Sequence, residues 1–476
     1  MSLRFHNTWS GMLEEFKPLN PPKVTMYHCG PTVYSFAHVG NFRTFLFGDL
    51  LRRVLERQGF EVTQVMNLTD VGHLTEDDID AGEDKMARAA KKERRTIQEI
   101  ATFYTDAFFE DLDLLGMKRA HHYPKASGYI PQMIEEIQVL EEKGFAYLSG
   151  DTVLFDTSRF PSYGRLSGKD IRTLKAGASG RVSEEELAGK RNAGDFRLWK
   201  VDPGHLMKWD SPWGVGYPGW HIECSTMSRR LLGDTIDIHT GGEDNIFPHH
   251  ESEIAQAEAA SGKPFCRYWL HVRHLMLENE KISKRLGNVY RVKDLEGQGF
   301  RPRAIRMALL SGNYRQHLNF TFDGIRAAQE NIEKVENFLR RMEQSVGEGG
   351  VEAVRERASR FLERFDGALC DDLNVPVALA ELLDFVKDIN RIEPGKAAAG
   401  EAVAAVEQAD NVLALVPSTT AGAQVEPAEI DRLIEDRRQA RANRDWALAD
   451  RIRMDLSSRG IILEDGPQGT TWRVKN

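Results

Sequence analysis

The chain has 476 residues, of which 41% are hydrophobic and 28% are charged, and its formal net charge is −9. This is the composition of an ordinary globular protein, with enough residues for several domains. It contains no run of about 18 apolar residues, which argues against a membrane span, and its first residues lack the apolar core of a secretion signal. The four cysteines are too few and too scattered for a disulfide framework, so the sequence predicts a cytoplasmic protein with free thiols.

A strand, a helix and a second strand are predicted near the amino end. Residues 24–28 and 60–66 are β-prone, and residues 41–58 have a helical period. This helix has an apolar face formed by Phe47, Leu50, Leu51, Val54 and Leu55. The order predicts a βαβ unit, and therefore a parallel sheet with its ligand crevice at the carboxyl ends of the strands.

The next segment is richer in charge. Residues 77–95 predict a solvated loop and helix beside that crevice. Residues 96–115 and 129–143 have the period of amphipathic helices.

An insertion and a second part of the sheet are expected after these helices. Residues 146–213 form the predicted insertion, with one strand at 152–155 and a small-residue segment at 176–189. The sheet is expected to resume with strands at 236–239 and 268–271.

The last third of the chain is helical in period up to residue 415, with a turn at Asp371–Pro376, which predicts a helical bundle. A small-residue linker at 416–424 precedes an arginine-rich helix at 427–459, broken near Asp445. A closing hairpin is predicted from Ile461 to Val474. Arginines outnumber the acidic residues near this end, so the acidic total does not exclude a bound polyanion.

The densest group of metal-ligating residue types lies near the middle of the chain. Pro248 suits the first turn of a helix, which would place His249 and Glu253 four residues apart on one face. With Cys224 and the distant Cys29 they would supply two thiolates, an imidazole and a carboxylate, a donor set that suits zinc. A core cysteine beside a polar helix face is the alternative, and spacing alone does not decide between the two.

Two short motifs suit nucleotide phosphates. The run His38–Asn41 falls at a predicted helix start, where Gly40 permits close approach and the free amides attract phosphate. Lys281, Ser283 and Lys284 lie in a glycine-bounded loop that could close over a triphosphate. Each motif alone is weak, because helix starts and solvated lysine pairs are common.

Together, the two motifs resemble the paired ATP-binding motifs of class I aminoacyl-tRNA synthetases. The four candidate zinc ligands narrow the resemblance to cysteinyl-tRNA synthetases, as do the stretches Cys29–Tyr34, Asn67–Asp70 and Gly219–Cys224. It covers essentially the whole chain, including Asp445–Asp450. The resemblance implies activation of cysteine by ATP to cysteinyl-adenylate and transfer to the 3′ end of tRNA(Cys). It also implies a zinc ion that selects the substrate thiolate over a serine hydroxyl.

The resemblance also implies roles for individual residues. The metal ligands would be Cys29, Cys224, His249 and Glu253, and the catalytic residues His38, Asn41, Lys281 and Lys284. Thr32, Gly40 and Ser283 would bind the nucleotide, and the amino-acid site would hold Gly30, Thr69, Trp220, His239 and Asp244. Mg²⁺ is expected on the phosphates, and Lys284 is the more important lysine. The arginine-rich end and Trp472 are expected to contact the anticodon, and the chain is expected to be a monomer.

Two departures from the family pattern bear on activity. The first motif ends in Asn41 where the class-wide pattern has histidine, but asparagine is familiar there in cysteinyl enzymes and keeps a hydrogen-bond donor. The second motif has Ile282 for methionine and Arg285 for the final serine, which keeps the loop cationic. We therefore expect an active enzyme.

Two other functions were weighed against the resemblance. The related ligase that joins activated cysteine to an amino sugar in mycothiol synthesis shares the zinc and ATP sites, but has no use for an anticodon-binding end. A paralogue that binds zinc, nucleotide and RNA without charging is disfavoured because His38, Lys284 and the four ligands are intact.

The sequence thus predicts an α/β protein. A Rossmann-like parallel-sheet catalytic domain with an insertion is followed by a helical bundle and a small C-terminal α+β module. The predicted boundaries are 1–145 and 214–270 for the two catalytic halves, 146–213 for the insertion, 271–322 for the ATP-loop and stem-contact region, 323–415 for the bundle and 427–476 for the anticodon-binding module.

Overall fold

The computed structural model describes residues 2–71, 74–76, 81–169, 189–282, 287–416, 427–442, 461–466 and 469–474, together with 448–449, 452–453 and 456. The chain forms two compact units, Met1–Leu413 and Ala414–Asn476. None of the helices described is both long enough and apolar enough to cross a membrane.

Strands and helices alternate along most of the first unit. Its strands are β1 (Arg4–Asn7), β2 (Met12–Glu15), β3 (Lys23–His28), β4 (Glu61–Met66), β5 (Leu74–Glu76), β6 (Ala81–Asp84), β7 (Ala146–Ser149), β8 (Thr152–Phe155), β9 (Phe196–Val201), β10 (Gly216–Pro218), β11 (Ile236–Gly242), β12 (Cys266–Val272), β13 (Leu275–Leu277), β14 (Glu280–Lys281) and β15 (Leu318–Phe320). Its helices are α1 (Val39–Arg57), α2 (Lys85–Glu93), α3 (Ile97–Leu114), α4 (Ile130–Glu142), α5 (His221–Leu232), α6 (Glu251–Ser261), α7 (Val292–Glu296), α8 (Pro302–Leu310), α9 (Phe322–Glu343), α10 (Val351–Cys370), α11 (Val375–Asn390) and α12 (Lys396–Leu413).

A parallel four-stranded sheet forms the centre of this unit, in the order β12-β11-β3-β4. The predicted βαβ unit is confirmed, because β3 and β4 pair in parallel on either side of α1 in the sequence. β11 pairs directly with β3, which joins two distant parts of the chain. All seven residues of β11 are buried, as expected for a parallel strand covered on both faces. The carboxyl ends of β3 and β11 therefore lie side by side, where an open α/β sheet binds its ligand.

β11, β12 and α1 are longer than predicted. β11 continues through Gly242, so residues 240–242 belong to the sheet instead of ending it. α1 begins at Val39 because two side chains cap its start: Asn41 Oδ1 accepts from the His38 N–H at 3.1 Å, and His38 Nδ1 accepts from the Gly40 N–H at 3.1 Å. The apolar face predicted for α1 is buried. α3 and α4 agree with their predicted bounds to within one residue.

The strand predicted at 152–155 is confirmed as β8, but it belongs to a larger sheet than expected. β7 to β10 form an antiparallel sheet in the order β10-β9-β8-β7. Its strand β9 was missed because it buries Arg197 among apolar residues, which conceals the strand pattern. Nearly all of the small-residue segment predicted at 176–189 lies outside the described residues.

The charged segment is also more regular than predicted. β5 and β6 pair as an antiparallel hairpin, so the expectation of a loop is wrong for Ala81–Asp84. The predicted helix is present as α2. Residues 77–80 lie outside the described residues.

Helices α9 to α12 make up the region predicted as a bundle, and none of its described residues belongs to a strand. The predicted turn is confirmed, because α10 ends at Cys370 and α11 starts at Val375.

The second unit contains α13 (Pro427–Ala442), β16 (Ile461–Gly466) and β17 (Gly469–Val474). The hairpin prediction is confirmed by the antiparallel pairing of β16 with β17. A small core consists of Ile430, Ile452, Leu456 and Leu463. The helix break predicted near Asp445 and most of the predicted linker lie outside the described residues. The predicted domain boundaries stay predictions.

Candidate active site and metal centre

Four side chains converge at the carboxyl edge of the central sheet. Cys29 directly follows β3, Cys224 lies in α5, and Glu253 lies in the first turn of α6. His249 precedes α6 in a wide turn. One ligand atom from each of the four residues lies within 4.8 Å of the others, and all four side chains are buried. We call Cys29, Cys224, His249 and Glu253 the two-thiol set.

The local helix start differs from the prediction. α6 begins at Glu251 instead of Pro248, because residues Ile246–His250 form a π-helical turn that leads into it. The two side chains are nevertheless close together, as their spacing predicted, because His249 Nε2 lies 3.0 Å from Glu253 Oε1. The two side chains therefore face the same point.

A second group of donors overlaps the first. Cys29, His239, His250 and Glu253, which we call the one-thiol set, also have ligand atoms within 4.8 Å of one another. Cys29 Sγ lies 3.2 Å from His250 Nε2, and His239 Nε2 lies 2.8 Å from Glu253 Oε2. His250 was not predicted as a donor. Its position three residues before Glu253 was the available signal, since residues so spaced share one side of a helix.

Further histidines and an aromatic ring hold the donors in place. His221 Nδ1 lies 2.9 Å from His249 Nδ1, and His271 Nε2 lies 2.8 Å from His250 Nδ1. The Trp220 ring stacks on His249 with centroids 4.3 Å apart. Contacts of this kind fix the orientation and tautomer of a metal-binding imidazole. Neither His221 nor His271 was predicted: His221 had a local signal three residues before Cys224, whereas only the folded chain brings His271 beside the donors.

Burial sets the protonation of this region. It lowers the pKa of His28, His239 and His271 to about 3 each, so these rings are neutral at pH 7, the form that binds metals. It raises the pKa of the Cys29 thiol and of the Glu253 carboxyl well above their ordinary values. Burial therefore disfavours the charged forms of both groups, and a bound cation would favour them.

The donor chemistry of the two-thiol set fits zinc. Two thiolates, an imidazole and a carboxylate match a borderline-soft ion that takes nitrogen, sulfur and oxygen ligands. The one-thiol set, with two imidazoles, is also reasonable for zinc. The two sets share Cys29 and Glu253, so the geometry supports one ion at a time.

Four of the five residues predicted for the amino-acid site border these donors. Gly30 follows Cys29, Trp220 stacks on His249, and His239 belongs to the one-thiol set. A Cβ atom on Gly30 would lie 1.9 Å from the backbone oxygen of Asn67, so no side chain fits there.

Thr69, the fourth, lies in a hydrogen-bonded chain. Asn67 accepts from the Gly30 N–H at 2.8 Å and donates to Thr69 Oγ1 at 3.0 Å, and Thr69 donates to Glu223 Oε2 at 3.2 Å. Glu223 precedes Cys224, so the chain links both sides of the donor cluster. The fifth residue, Asp244, is exposed in the turn after β11 and belongs to neither donor set.

The two nucleotide motifs adjoin each other. An ideal Cβ on Gly40 would lie 3.3 Å from Ile282 Cδ1, and the Val39 N–H donates to Tyr290 O at 2.9 Å. Lys281 is exposed in β14. Thr32, predicted to bind the nucleotide, forms a parallel bridge with Thr69. Ser283 and Lys284 lie outside the described residues.

Comparison with known proteins decides the family. Residues 15–330 match the model of the tRNA synthetases class I (C) catalytic domain. A protein from Solibacter usitatus named Cysteine–tRNA ligase is 43% identical over 100% of both chains. Another of that name from Chlamydia pneumoniae is 44% identical and covers 98% of this chain and 97% of its own. This chain belongs to the cysteine–tRNA ligase family.

Other comparisons agree with membership of this family. Residues 425–473 match the cysteinyl-tRNA ligase anticodon binding domain, and residues 364–416 match the DALR domain. Among solved structures, a methionyl-tRNA synthetase from Mycobacterium tuberculosis in complex with methionyl-adenylate has a TM-score of 0.57 at 15% identity, covering 83% of this chain and 90% of its own. A LeuRS–tRNA–LeuAMS ternary complex from Agrobacterium radiobacter has a TM-score of 0.61 at 12% identity, covering 84% and 85%. At these identities the likeness concerns the fold alone, and it confirms the predicted class I architecture.

Proposed function

We propose that this chain activates cysteine with ATP to cysteinyl-adenylate and transfers the cysteinyl group to the 3′ end of tRNA(Cys). The observation that carries the proposal is the two-thiol set, buried at the carboxyl edge of the sheet. Cys29 and His38 belong to the same connection between β3 and α1, so a site suited to a thiol lies close along the chain to a nucleotide motif.

We propose zinc as the resident metal, held by Cys29, Cys224, His249 and Glu253. We favour the two-thiol set because its donors are softer, and because His249 is held by both Trp220 and His221. When bound, zinc supplies an open position that takes a thiolate far better than a hydroxyl. Discrimination against serine by such a bond can be large enough to need no editing site.

Gly30, Thr69, Trp220 and His239 are proposed as walls of the amino-acid site. Gly30 leaves room there, because its close approach to Asn67 excludes any side chain. The Thr69 hydroxyl is fixed in direction, since it accepts from one neighbour and donates to another. Trp220 covers the ring of His249. A part for the exposed Asp244 stays a prediction.

The nucleotide is proposed to bind where α1 begins. His38 and Asn41 form the cap there, Gly40 allows close approach, and Thr32 lies on the preceding loop. Asn41 uses its oxygen in the cap and keeps an amide donor for ATP. Lys281, Ser283 and Lys284 would stabilise charge on the phosphates, with Mg²⁺ expected on the same oxygens.

The proposed chemistry has two steps. A carboxylate oxygen of cysteine attacks the α-phosphorus of ATP, the bond to the bridging α–β oxygen breaks, and pyrophosphate leaves. The terminal hydroxyl of tRNA then attacks the carbonyl carbon of the adenylate, the ester forms, and AMP leaves with the electron pair while the hydroxyl proton passes to solvent. In the first step the cationic groups act where charge develops, which favours the transition state over the bound substrate.

The last module is proposed to bind the anticodon of tRNA. α13 exposes Arg432, Arg438 and Arg441, which suit a phosphate backbone, whereas Arg437 is buried. Trp472 is half-buried and packs against the module's small core, so only part of its ring remains for a base.

We propose that the enzyme acts as a monomer in the cytoplasm. The four cysteines are free thiols in the structure, and two of them belong to the metal centre, which a reducing compartment would preserve.

Cysteine-dependent ATP–pyrophosphate exchange, followed by charging of tRNA(Cys) with the same protein, tests the proposal. We expect both activities, and exchange with serine in place of cysteine should be undetectable. Exchange without charging would support a ligase that uses activated cysteine on a small molecule. Failure of exchange in zinc-loaded protein would contradict the proposal.

A further inference from the structure

Three arginines bind the carboxyl end of α12. Arg57 Nη1 donates to Gln408 O at 3.0 Å, Arg53 Nη1 to Asn411 O at 2.9 Å, and Arg306 Nε to Leu413 O at 2.6 Å. Cations at this end of a helix satisfy carbonyls that lack partners and oppose the negative end of the helix dipole. We call Arg53, Arg57 and Arg306 the arginine clamp.

The same arginines are anchored in the rest of the first unit. Arg306 Nη2 lies 2.7 Å from Asp49 Oδ2, and both side chains are fully buried. Arg53 Nε lies 2.9 Å from the other oxygen of Asp49. Burial alone would raise the pKa of Asp49, but the charges of Arg306 and Arg53 hold it below its ordinary value. Asp49 is therefore a carboxylate that ties α1 to α8.

Arg57, the third member of the clamp, also contacts the helical bundle. It pairs with Asp366 of α10, with Nη2 2.9 Å from Oδ2, so it joins α1 to both α10 and α12. Its side chain is 17% exposed and that of Asp366 is 28% exposed. This is the most accessible part of the clamp and the part most tolerant of substitution.

The two elements that the clamp joins have distinct positions in the chain. α1 begins beside His38, in the first nucleotide motif. α12 ends at Leu413, and the second unit, which contains the region matched by the anticodon-binding model, begins at the next residue. The clamp thus contacts the carboxyl end of α12, which directly precedes the second unit.

We propose that the arginine clamp is a positioning device for tRNA. By holding the end of α12 against α1, it fixes the last residues of the first unit relative to the helix that begins at the nucleotide motif. This inference rests on the proposed function. Activation uses groups of the first unit only, so it does not depend on the clamp, whereas charging of a full-length tRNA requires both ends of the molecule to be held at once.

The test uses Arg57→Met, with Arg52→Met as the matched control. Arg52 lies on the same helix and is 11% exposed, but it binds Glu56, Gln64 and Arg119 O, none of which belongs to α10 or α12. Cysteine-dependent pyrophosphate exchange, charging of full-length tRNA(Cys) and charging of an acceptor-stem minihelix are measured for both variants and the wild type.

For Arg57→Met we expect kcat/KM for full-length tRNA to fall by about 10- to 100-fold, mainly through KM, because a small misplacement costs that much. Exchange and minihelix charging should stay within about twofold, since neither uses the last module. Asp366→Asn removes the same pair from the other side and should reproduce the effect. Arg52→Met should leave the ratio of full-length to minihelix charging unchanged.

Several results would overturn the inference. Arg57→Met with wild-type charging of full-length tRNA would do so. So would an equal loss of exchange or minihelix charging in Arg57→Met, or the same loss of full-length charging in Arg52→Met, because either would mark a general structural effect. A wild-type enzyme that fails to exchange would instead contradict the proposed function itself, so the two failures are distinguishable.

Discussion

The donor cluster and the nucleotide motifs adjoin the same sheet, yet they are built differently. The donors are fully buried, and neighbouring rings such as His221, His271 and Trp220 hold them in fixed directions. The nucleotide motifs combine the cap of a helix with an exposed lysine, Lys281. A small thiol can be recognised by a rigid buried site, whereas a triphosphate is large, charged and solvated. Its binding suits backbone amides and cations near the surface.

This difference has a consequence for mutations. Changes in the donor cluster should remove metal and cysteine binding while ATP still binds. Changes in the nucleotide motifs should slow activation while metal and cysteine still bind. Suitable substitutions can separate the two regions from each other, or distinguish the two-thiol set from the one-thiol set.

The largest effect is expected for Cys224→Ser. A serine hydroxyl is a much poorer zinc ligand than a thiolate, so zinc content and cysteine-dependent exchange should both fall. The loss should exceed the roughly 100-fold effect typical of losing an outer partner of a ligand. ATP binding, measured by calorimetry, should remain.

Cys266→Ser is the control for that change. Cys266 is a half-buried thiol in β12 that donates to Tyr268 O at 3.3 Å and belongs to neither donor set. The Cys266→Ser variant should have a zinc content and a rate of cysteine-dependent exchange near those of the wild type. Wild-type exchange in Cys224→Ser would contradict the assignment of the metal centre.

Lys284→Ala tests the nucleotide region. Removing a cation from a site of developing charge should lower kcat for exchange by about 10²- to 10³-fold. Zinc content should not change, and Lys281→Ala should have a smaller effect. If Lys284→Ala instead lost its zinc, the proposed independence of the two regions would be wrong.

Histidine partners distinguish the two donor sets. If zinc occupies the two-thiol set, His221→Gln should weaken metal affinity by about 10- to 100-fold, because it removes the partner of His249. His271→Gln, which removes the partner of His250, should weaken it less. Competition with a chromophoric chelator measures both affinities. The reverse order would favour the one-thiol set.

The smallest effect is a pH dependence of the metal-free protein. Burial lowers the pKa of His28, His239 and His271 to about 3, whereas a histidine in an unfolded chain has a pKa of about 6.5. Between these values the unfolded state binds more protons, so the free energy of unfolding falls as the pH falls. Each histidine contributes up to about 1.4 kcal/mol per pH unit.

The raised pKa of Glu253 acts in the opposite direction, because the folded chain then keeps a proton that the unfolded chain loses. The raised pKa values of Asp111, Glu136 and Glu258 act in the same direction as that of Glu253, and the lowered pKa of His250 adds to the effect of the other histidines. Urea titrations of metal-free protein at pH 7, 6 and 5 measure the sum, and His28→Asn should reduce the slope by one histidine. An unchanged slope in His28→Asn would contradict this account.

The sequence predicted those parts of the site that depend on local spacing. The pair His249 and Glu253 follows from a helical period, and the βαβ unit around α1 follows from alternating patterns. The cap made by Asn41 was not anticipated, so α1 begins earlier than predicted. A polar residue that departs from a family pattern can thus have a structural reason that is visible only in the fold.

Other features depend on contacts between distant segments. His271 supports His250 from another strand, and Arg306 reaches α12 across more than a hundred positions of sequence. Buried arginines also mislead pattern analysis, because Arg197 hides a strand and Arg306 resembles a surface residue of α8. Tertiary packing decides such positions, and a single sequence carries little signal for them.

X-ray absorption at the zinc edge tests the central claim most directly, because it counts sulfur ligands at about 2.3 Å from the metal. For zinc-loaded enzyme without substrate we predict two sulfur ligands and the remainder nitrogen or oxygen, as the two-thiol set requires. Addition of cysteine should raise the count to three, and addition of serine should leave it at two. A single sulfur in the free enzyme, or no change with cysteine, would contradict the account.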